Sequence, residues 1–378
     1  IGRGQGPGYA LKPAITEADD GVGTIRNVRV PNGARPDMYA SSTSGQRGNG
    51  RIGVYAGLSH HGILRIQNCE FSEFGNNGIY ASRTNGDVQV EDSYFLNNGV
   101  AAIRLSGKGS WAKRCTVEVD VSKYDGPSLG EWGTWGIICE NQKVTRTIAS
   151  YPPRPAGMLV EDCEISMLDV NGEGVVGAGI KLGSGARTLT VRNTNIRIET
   201  SRGFGRSTHA VLRVNPHLDN RPYRSDTVVP PPPHWIRLEN VSISGTAQGD
   251  SAVRIAEAQG SSLTNCRIES SGDGRQGIRL LESPDFTVDG GEIRTGGFPI
   301  VTSGSSRDEC MVSFEDPPDL ITEADVGSGP LPATLFSSAS SGTPLAGRCL
   351  SLSDVDSDGI VKVSISGVQD GEVHGVVS

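Results

Sequence analysis

Three groups of side chains in this chain have the types and spacing to do chemistry. In the first, Asp125 and Glu131 stand close together beside Trp132 and Trp135. Two carboxylates can serve as acid and base, or acid and nucleophile, on either side of a glycosidic bond, and indole rings offer flat apolar faces to a sugar. In the second, His60 and His61 are adjacent, with Asn76 and Arg83 following. An imidazole that titrates near neutrality can take a proton from a sugar carbon or ligate a metal. His61 therefore joins Asp125 and Glu131 as a candidate catalytic residue. The candidate substrate-binding residues are Trp132, Trp135, His60, Arg83 and, flanking a proline run at 230–233, Arg224 and Trp235. A guanidinium beside an aromatic ring suits a uronate or a hydroxyl-rich ring. In the third, Asp354-Val355-Asp356-Ser357-Asp358-Gly359 places carboxylates at alternate positions before a glycine, the first half of a calcium loop. The twelfth position is Ile365 where a bidentate Glu belongs, so possible calcium competes with a plain acidic turn, and no cofactor is required. Each group has a packing alternative: a Trp can pin its own loop to the protein body, and a His can close a turn with both ring nitrogens satisfied.

The elements that position these residues come from a repeat, sought first because a short fixed unit changes every later inference about fold. Arg65-Ile66-Gln67-Asn68-Cys69-Glu70-Phe71 returns as Leu159-Val160-Glu161-Asp162-Cys163-Glu164-Ile165, as Thr190-Val191-Arg192-Asn193-Thr194-Asn195-Ile196 and in further copies, with bends at 27, 68, 92, 114, 162, 193, 240, 265 and 290. The gaps of 24, 22, 25 and 25 define a unit of 22–25 residues, and those of 41, 48, 31 and 47 mark insertions. Between copies runs a second strand, such as Gly78-Ile79-Tyr80-Ala81 or Gly179-Ile180-Lys181-Leu182. Period-two alternation buries every other side chain, and a unit this short closes a core only by stacking on its neighbours. Asn, Asp or Gly at the bend suits a left-handed backbone. The small residue after it (Cys69, Cys115, Cys163 and Cys266 among them) points inward and piles on its counterpart one coil away, so these thiols are core fillers. The pattern is that of a parallel β-helix.

Composition agrees. Glycine supplies 51 of 378 residues and proline 21, with hydrophobic residues at 35%, which disfavours helical bundles and doubly wound sheets. A net charge of −8 and a pI near 5.4 argue against nucleic acid as a partner. No run approaches the ~20 apolar residues of a membrane helix. Seven cysteines are too sparse for a disulfide scaffold, although Cys310 and Cys349, outside the repeat, could pair.

The repeats over roughly 20–305 resemble the right-handed parallel β-helix superfamily, which includes pectate lyases, polygalacturonases, alginate-modifying enzymes and phage tailspikes. Gly57-Leu58-Ser59-His60-His61-Gly62 and the stretch from Phe74 to Val88 resemble exported β-helix repeat proteins of haloarchaea. The resemblance implies an all-β, right-handed solenoid and an extracellular or cell-surface location, with which the acidic, lysine-poor balance agrees. It does not supply a reaction. The Gly-His-Gly and Arg-Ile-Lys motifs of polygalacturonases are missing, as are the Arg-x-Pro-x-x-Arg of pectate lyases and the Asp-Pro-His-Glu of alginate epimerases.

The expected organisation is a β-helix over 1–305, with insertions near 31–50, 118–135, 141–156 and 215–235, then a C-terminal cap or small β extension over 306–378. The start of the chain shows no amphipathic capping helix, so an open end is expected there. The expected function is a non-catalytic scaffold that binds polysaccharide or surface glycan, or joins a homo-oligomer or larger extracellular or virion assembly. The alternative is a polysaccharide lyase or glycoside hydrolase acting in a lateral groove.

Overall fold

The computed structural model describes residues 8–17, 21–33, 51–120, 123, 135–140, 156–168, 177–183, 185–199, 208–214 and 232–303, together with the backbone of four short strands, 311–314, 345–348, 360–366 and 372–376. The second motif of the repeat forms one parallel sheet, here sheet 1. Tyr9–Leu11, Ile52–Tyr55, Asn77–Tyr80, Ala101–Leu105, Trp135–Cys139, Ala178–Leu182, His209–Arg213, Ser251–Ala256, Gln276–Leu281 and Ile300–Ser303 lie side by side in chain order. The first motif supplies two more faces. Strands before the bend, such as Asp87–Glu91, Trp111–Lys113 and Met158–Glu161, build sheet 2. Strands after it, such as Tyr94–Leu96, Thr116–Asp120 and Glu164–Leu168, build sheet 3. The chain visits sheets 2, 3 and 1 in turn and advances one strand per circuit, which is a parallel β-helix.

The bend between sheets 2 and 3 is a single left-handed residue, and all nine positions read from the repeat have positive φ, from 47° at Asn193 to 66° at Gly290. Asn and Asp tolerate this region, and the amides also stack: Asn68 donates to Asn27 at 2.8 Å and Asn240 to Asn193 at 3.1 Å. Two bends depart from Asn or Asp, Arg114 at φ 50° and Gly290, and at the second the neighbouring glycine has a visible cause. A Cβ on Gly291 would sit 2.0 Å from the Cys266 carbonyl oxygen, and φ there is +87°.

Inside, one column on sheet 1 runs Leu11, Val54, Ile79, Ile103, Ile137, Ile180, Val211, Val253, Ile278 and Ile300, each the in-register partner of the next. Each fully buried aliphatic side chain contributes about 2 kcal/mol, and only a neighbour above and below completes that burial. Phe71, Phe74 and Phe95 fill the third corner in early coils. The inward column after the bend holds Cys69, Ser93, Cys115, Cys163, Thr194, Val241 and Cys266, all buried. Burial pushes the Cys115 thiol up and that of Cys266 up to about 11, so both are protonated fillers, unsuited to nucleophilic or metal chemistry.

Strand boundaries shift two tryptophans. Trp135 opens a sheet 1 strand in register with Ala101, and Trp235 opens a sheet 2 strand in register with Thr188. They belong to the solenoid and not to the insertions, because the register of the neighbouring coil sets where each strand begins. Beyond Ile300–Ser303, Met311–Phe314 continues sheet 2 in parallel, Leu345–Arg348 pairs with it antiparallel, and Ile360–Ser366 forms an antiparallel pair with Glu372–Val376.

Candidate functional site

Each sheet presents its alternate residues outward, and parallel register lines them up along the axis. On sheet 2 one line reads Arg26, Gln67, Glu91, Lys113, Glu161, Arg192, Glu239. Acids and bases alternate and satisfy one another: Lys113 reaches Glu161 at 2.9 Å, and Arg192 reaches Glu161 at 3.3 Å and Glu239 at 2.8 Å. The two cations hold the Glu161 carboxyl below its ordinary range, the Lys113 hydrogen bond first. Sheet 3 behaves alike, with Arg267 and Arg294 set among Glu269 and Glu292. An open groove of about 400 Å³ at the bend is lined by Glu70, Asp92, Tyr94 and Arg114 among others. Arg114 forks onto Asp92 at 2.7 and 3.2 Å, and Tyr94 donates to Glu118 at 2.9 Å.

Sheet 1 differs. Its outward line reads Tyr55, Tyr80, Arg104, Ile138, Lys181, Leu212, Arg254, Arg279, Val301. Four cations stand in that line and no carboxylate does. Its early end is aromatic: Tyr9 stacks on Tyr55 with centroids 4.5 Å apart, and Tyr55 meets Tyr80 at 5.6 Å. Arg83 lies 5.4 Å from the Tyr80 centroid and Arg104 lies 4.9 Å from it. Arg104 is buried and ion-paired with Glu140. Burial raises the Tyr55 phenol, opposed by Arg83. Midway, Trp135, Ile138, Ala101 and Ala178 form a small outer apolar cluster with Leu212 packed against it, and Lys181 sits 4.5 Å over the Trp135 ring.

The late end holds a polar cluster that sequence reading missed. Asp250 lies 3.8 Å from Arg254 Nη1 and 3.6 Å from Arg279 Nη1. Ser251 Oγ donates to Asp250 at 3.2 Å. Beneath them His209 Nδ1 donates to the Ser251 carbonyl at 2.7 Å, which leaves Nε2 as the lone-pair nitrogen, 3.9 Å from Asp250. Burial pulls His209 down to about 4, so it is neutral at neutral pH. The available signal was register: His209 lies two positions ahead of the inward Val211, and Asp250 directly precedes a sheet 1 strand.

Comparison with known proteins finds no matching family model, no matching curated protein and no matching solved structure. The site is therefore argued from its own geometry.

Of the residues singled out in the sequence, Asp125, Glu131, Trp132, Arg224, Asp354, Asp356, Asp358, Cys310 and Cys349 lie outside the described residues. Among those described, His60 is fully buried. Its Nδ1 accepts the Ile15 N–H at 3.2 Å, and its Nε2–H donates to the Asp87 carbonyl at 2.9 Å. That is the satisfied turn histidine, which leaves no ring atom for a ligand. His61 is exposed, and its N–H donates to the Ile15 carbonyl at 2.7 Å. Arg83 reaches the tyrosines of sheet 1. Trp135 is on the same sheet but buried, whereas Trp235 faces outward from sheet 2 with Arg237 4.3 Å over its ring. His60, Trp135 and Trp235 thus do not share one groove. No group of three or more His, Cys, Asp or Glu suited to a metal occurs among the described residues, and no helix there is long and apolar enough to cross a membrane.

Proposed function

We propose that the chain is a non-catalytic β-helix scaffold whose ligand face is the outside of sheet 1, and that the ligand is an acidic glycan. One observation carries this reading: the outward line of sheet 1 holds tyrosines and cations with no carboxylate in the line, and Arg254 and Arg279 meet Asp250 only at 3.8 and 3.6 Å, while the lines on sheets 2 and 3 pair acid with base among themselves. Aromatic edges with loosely held arginines in register along a rod suit an extended anionic polymer. Such charges also repel across a parallel pair, so a line of this kind is disfavoured unless something outside the strand offsets it.

We further propose an exported or cell-surface location and kinship with exported β-helix repeat proteins, supported by the lysine-poor acidic composition and the Asn/Asp-turned repeat. The second reading, a polysaccharide lyase or hydrolase, has in its favour the histidine and carboxylate that meet on the same face, His209 and Asp250. Against it, His209 is only 3% exposed. Incubation with acidic and neutral polysaccharides, with and without calcium, separates the two. Binding without unsaturated uronates or new reducing ends is expected, and turnover would establish the enzyme.

A further inference from the structure

The late end of sheet 1 gathers three guanidiniums around Asp250. Arg254 and Arg279 are in-register partners on adjacent strands, so their backbones lie about 4.8 Å apart and the two like charges face each other. Their side chains are 37% and 39% exposed. Their contacts to Asp250, at 3.8 and 3.6 Å, are too long for hydrogen bonds. A third guanidinium lies below. Arg275 is 0% exposed, donates from Nη1 to the Gly249 carbonyl at 2.9 Å, and has no partner for Nε or Nη2. Burial lowers it to about 10, against the opposing pull of Asp250, so it stays charged. Among the described residues, three guanidiniums therefore share one carboxylate, and the histidine beside them is neutral. Buried N–H donors without acceptors are costly. Such a cluster is stabilised by an added anion.

We propose that Arg254 and Arg279, backed by the buried charge of Arg275, form a tetrahedral-oxyanion site that takes a sulfate ester of a linear glycan, with Asp250 as the internal counter-ion it displaces. This rests on the reading of sheet 1 as the glycan face. The geometry favours a tetrahedral group over a carboxylate. The Asp250 carboxylate spans the two exposed guanidiniums with one oxygen each and still leaves both beyond hydrogen-bond reach. A tetrahedral group directs one oxygen toward each coil with others to spare, and it occupies the position where the Asp250 charge acts on the buried Arg275. The line continues through Leu212 to Lys181, two coils or about 10 Å from Arg254, which fits a polymer laid along the axis better than a lone ion.

The test is calorimetric titration of the full chain with dextran sulfate, unsulfated dextran, alginate and inorganic sulfate. Dextran sulfate is expected to bind, with Arg254→Gln and Arg279→Gln each weakening it about tenfold, the loss of one charge-assisted hydrogen bond. Both positions are surface-exposed, so the variants fold. Asp250→Asn should tighten binding, and its thermal midpoint should rise more on adding sulfate than that of the parent. Dextran sulfate binding unchanged in both arginine variants would overturn the site while leaving the glycan face standing. Alginate bound as well as dextran sulfate would overturn the tetrahedral preference. Inorganic sulfate bound as tightly as the polymer, with no glycan bound beyond it, would overturn the glycan reading itself.

Discussion

Sheets 1 and 2 are built by the same rule and differ in what they do with it. Both stack one strand per coil, and both bury alternate aliphatic residues in one shared core. On sheet 2 the outward positions alternate in sign, so that Lys113, Glu161, Arg192 and Glu239 form a closed ladder of half-buried ion pairs. On sheet 1 the equivalent positions carry Lys181, Leu212, Arg254 and Arg279, and Asp250 meets the two arginines only at 3.8 and 3.6 Å. A face that satisfies itself has little to offer a ligand. A face whose arginines are only loosely engaged has them to offer.

The largest effect should erase the comparison. Ile180→Ala removes one member of the inward column and leaves a cavity bounded by Ile137 and Val211. We expect a loss of about 2–5 kcal/mol, read from denaturant unfolding, with sheet 1 binding and the sheet 2 ladder weakening together.

Acid should separate the two sheets. His209 is neutral when folded, with a pKa of about 4 against 6.5 in the unfolded chain. Between these values the unfolded state binds more protons, so stability falls as pH drops from about 6.5 to 4, by about 3 kcal/mol in total. Glu161 runs later. Its folded pKa is depressed below 4.5, so its contribution is present above that value and is lost only as pH falls through the folded one. Stability measured against pH should show the first step missing in His209→Gln and retained in Glu161→Gln.

A smaller effect concerns the bend the sheets share. Asn193→Ala places Cβ without a compensating amide at φ 47° and removes the acceptor for Asn240; a cost of about 1 kcal/mol is expected in thermal unfolding. Smaller still, Glu161→Gln should lower stability by less than about 1 kcal/mol, because its partners Lys113 and Arg192 are 25% and 42% exposed and water screens both pairs.

Much of the fold was legible in the sequence because the repeat is dense. All nine bend positions of the repeat adopt positive φ, and the cysteines after them fall on one inward column. The candidate site was less legible. His60 was chosen for its chemistry, but a histidine beside a glycine in a tight corner is as readily held by its own backbone, here Ile15 and Asp87. Trp235 stood near prolines in sequence, yet register puts it on sheet 2, away from Tyr55 and Tyr80. Asp250 and Arg279 are separated by a full coil and meet only because adjacent strands run parallel in register. Such neighbours appear in the alignment of coils and not in any local motif.

The central claim is that ligand binds the outside of sheet 1 and not of sheet 2 or 3. Hydroxyl-radical footprinting of the chain with and without a bound acidic polysaccharide tests this directly, because oxidisable side chains lie on all three faces. Tyr9, Tyr55 and Leu212 should be protected, while Trp111 and Trp235 on sheet 2 and Tyr94 on sheet 3 react unchanged. Protection of Trp111, Trp235 or Tyr94 with Leu212 left open would contradict the account.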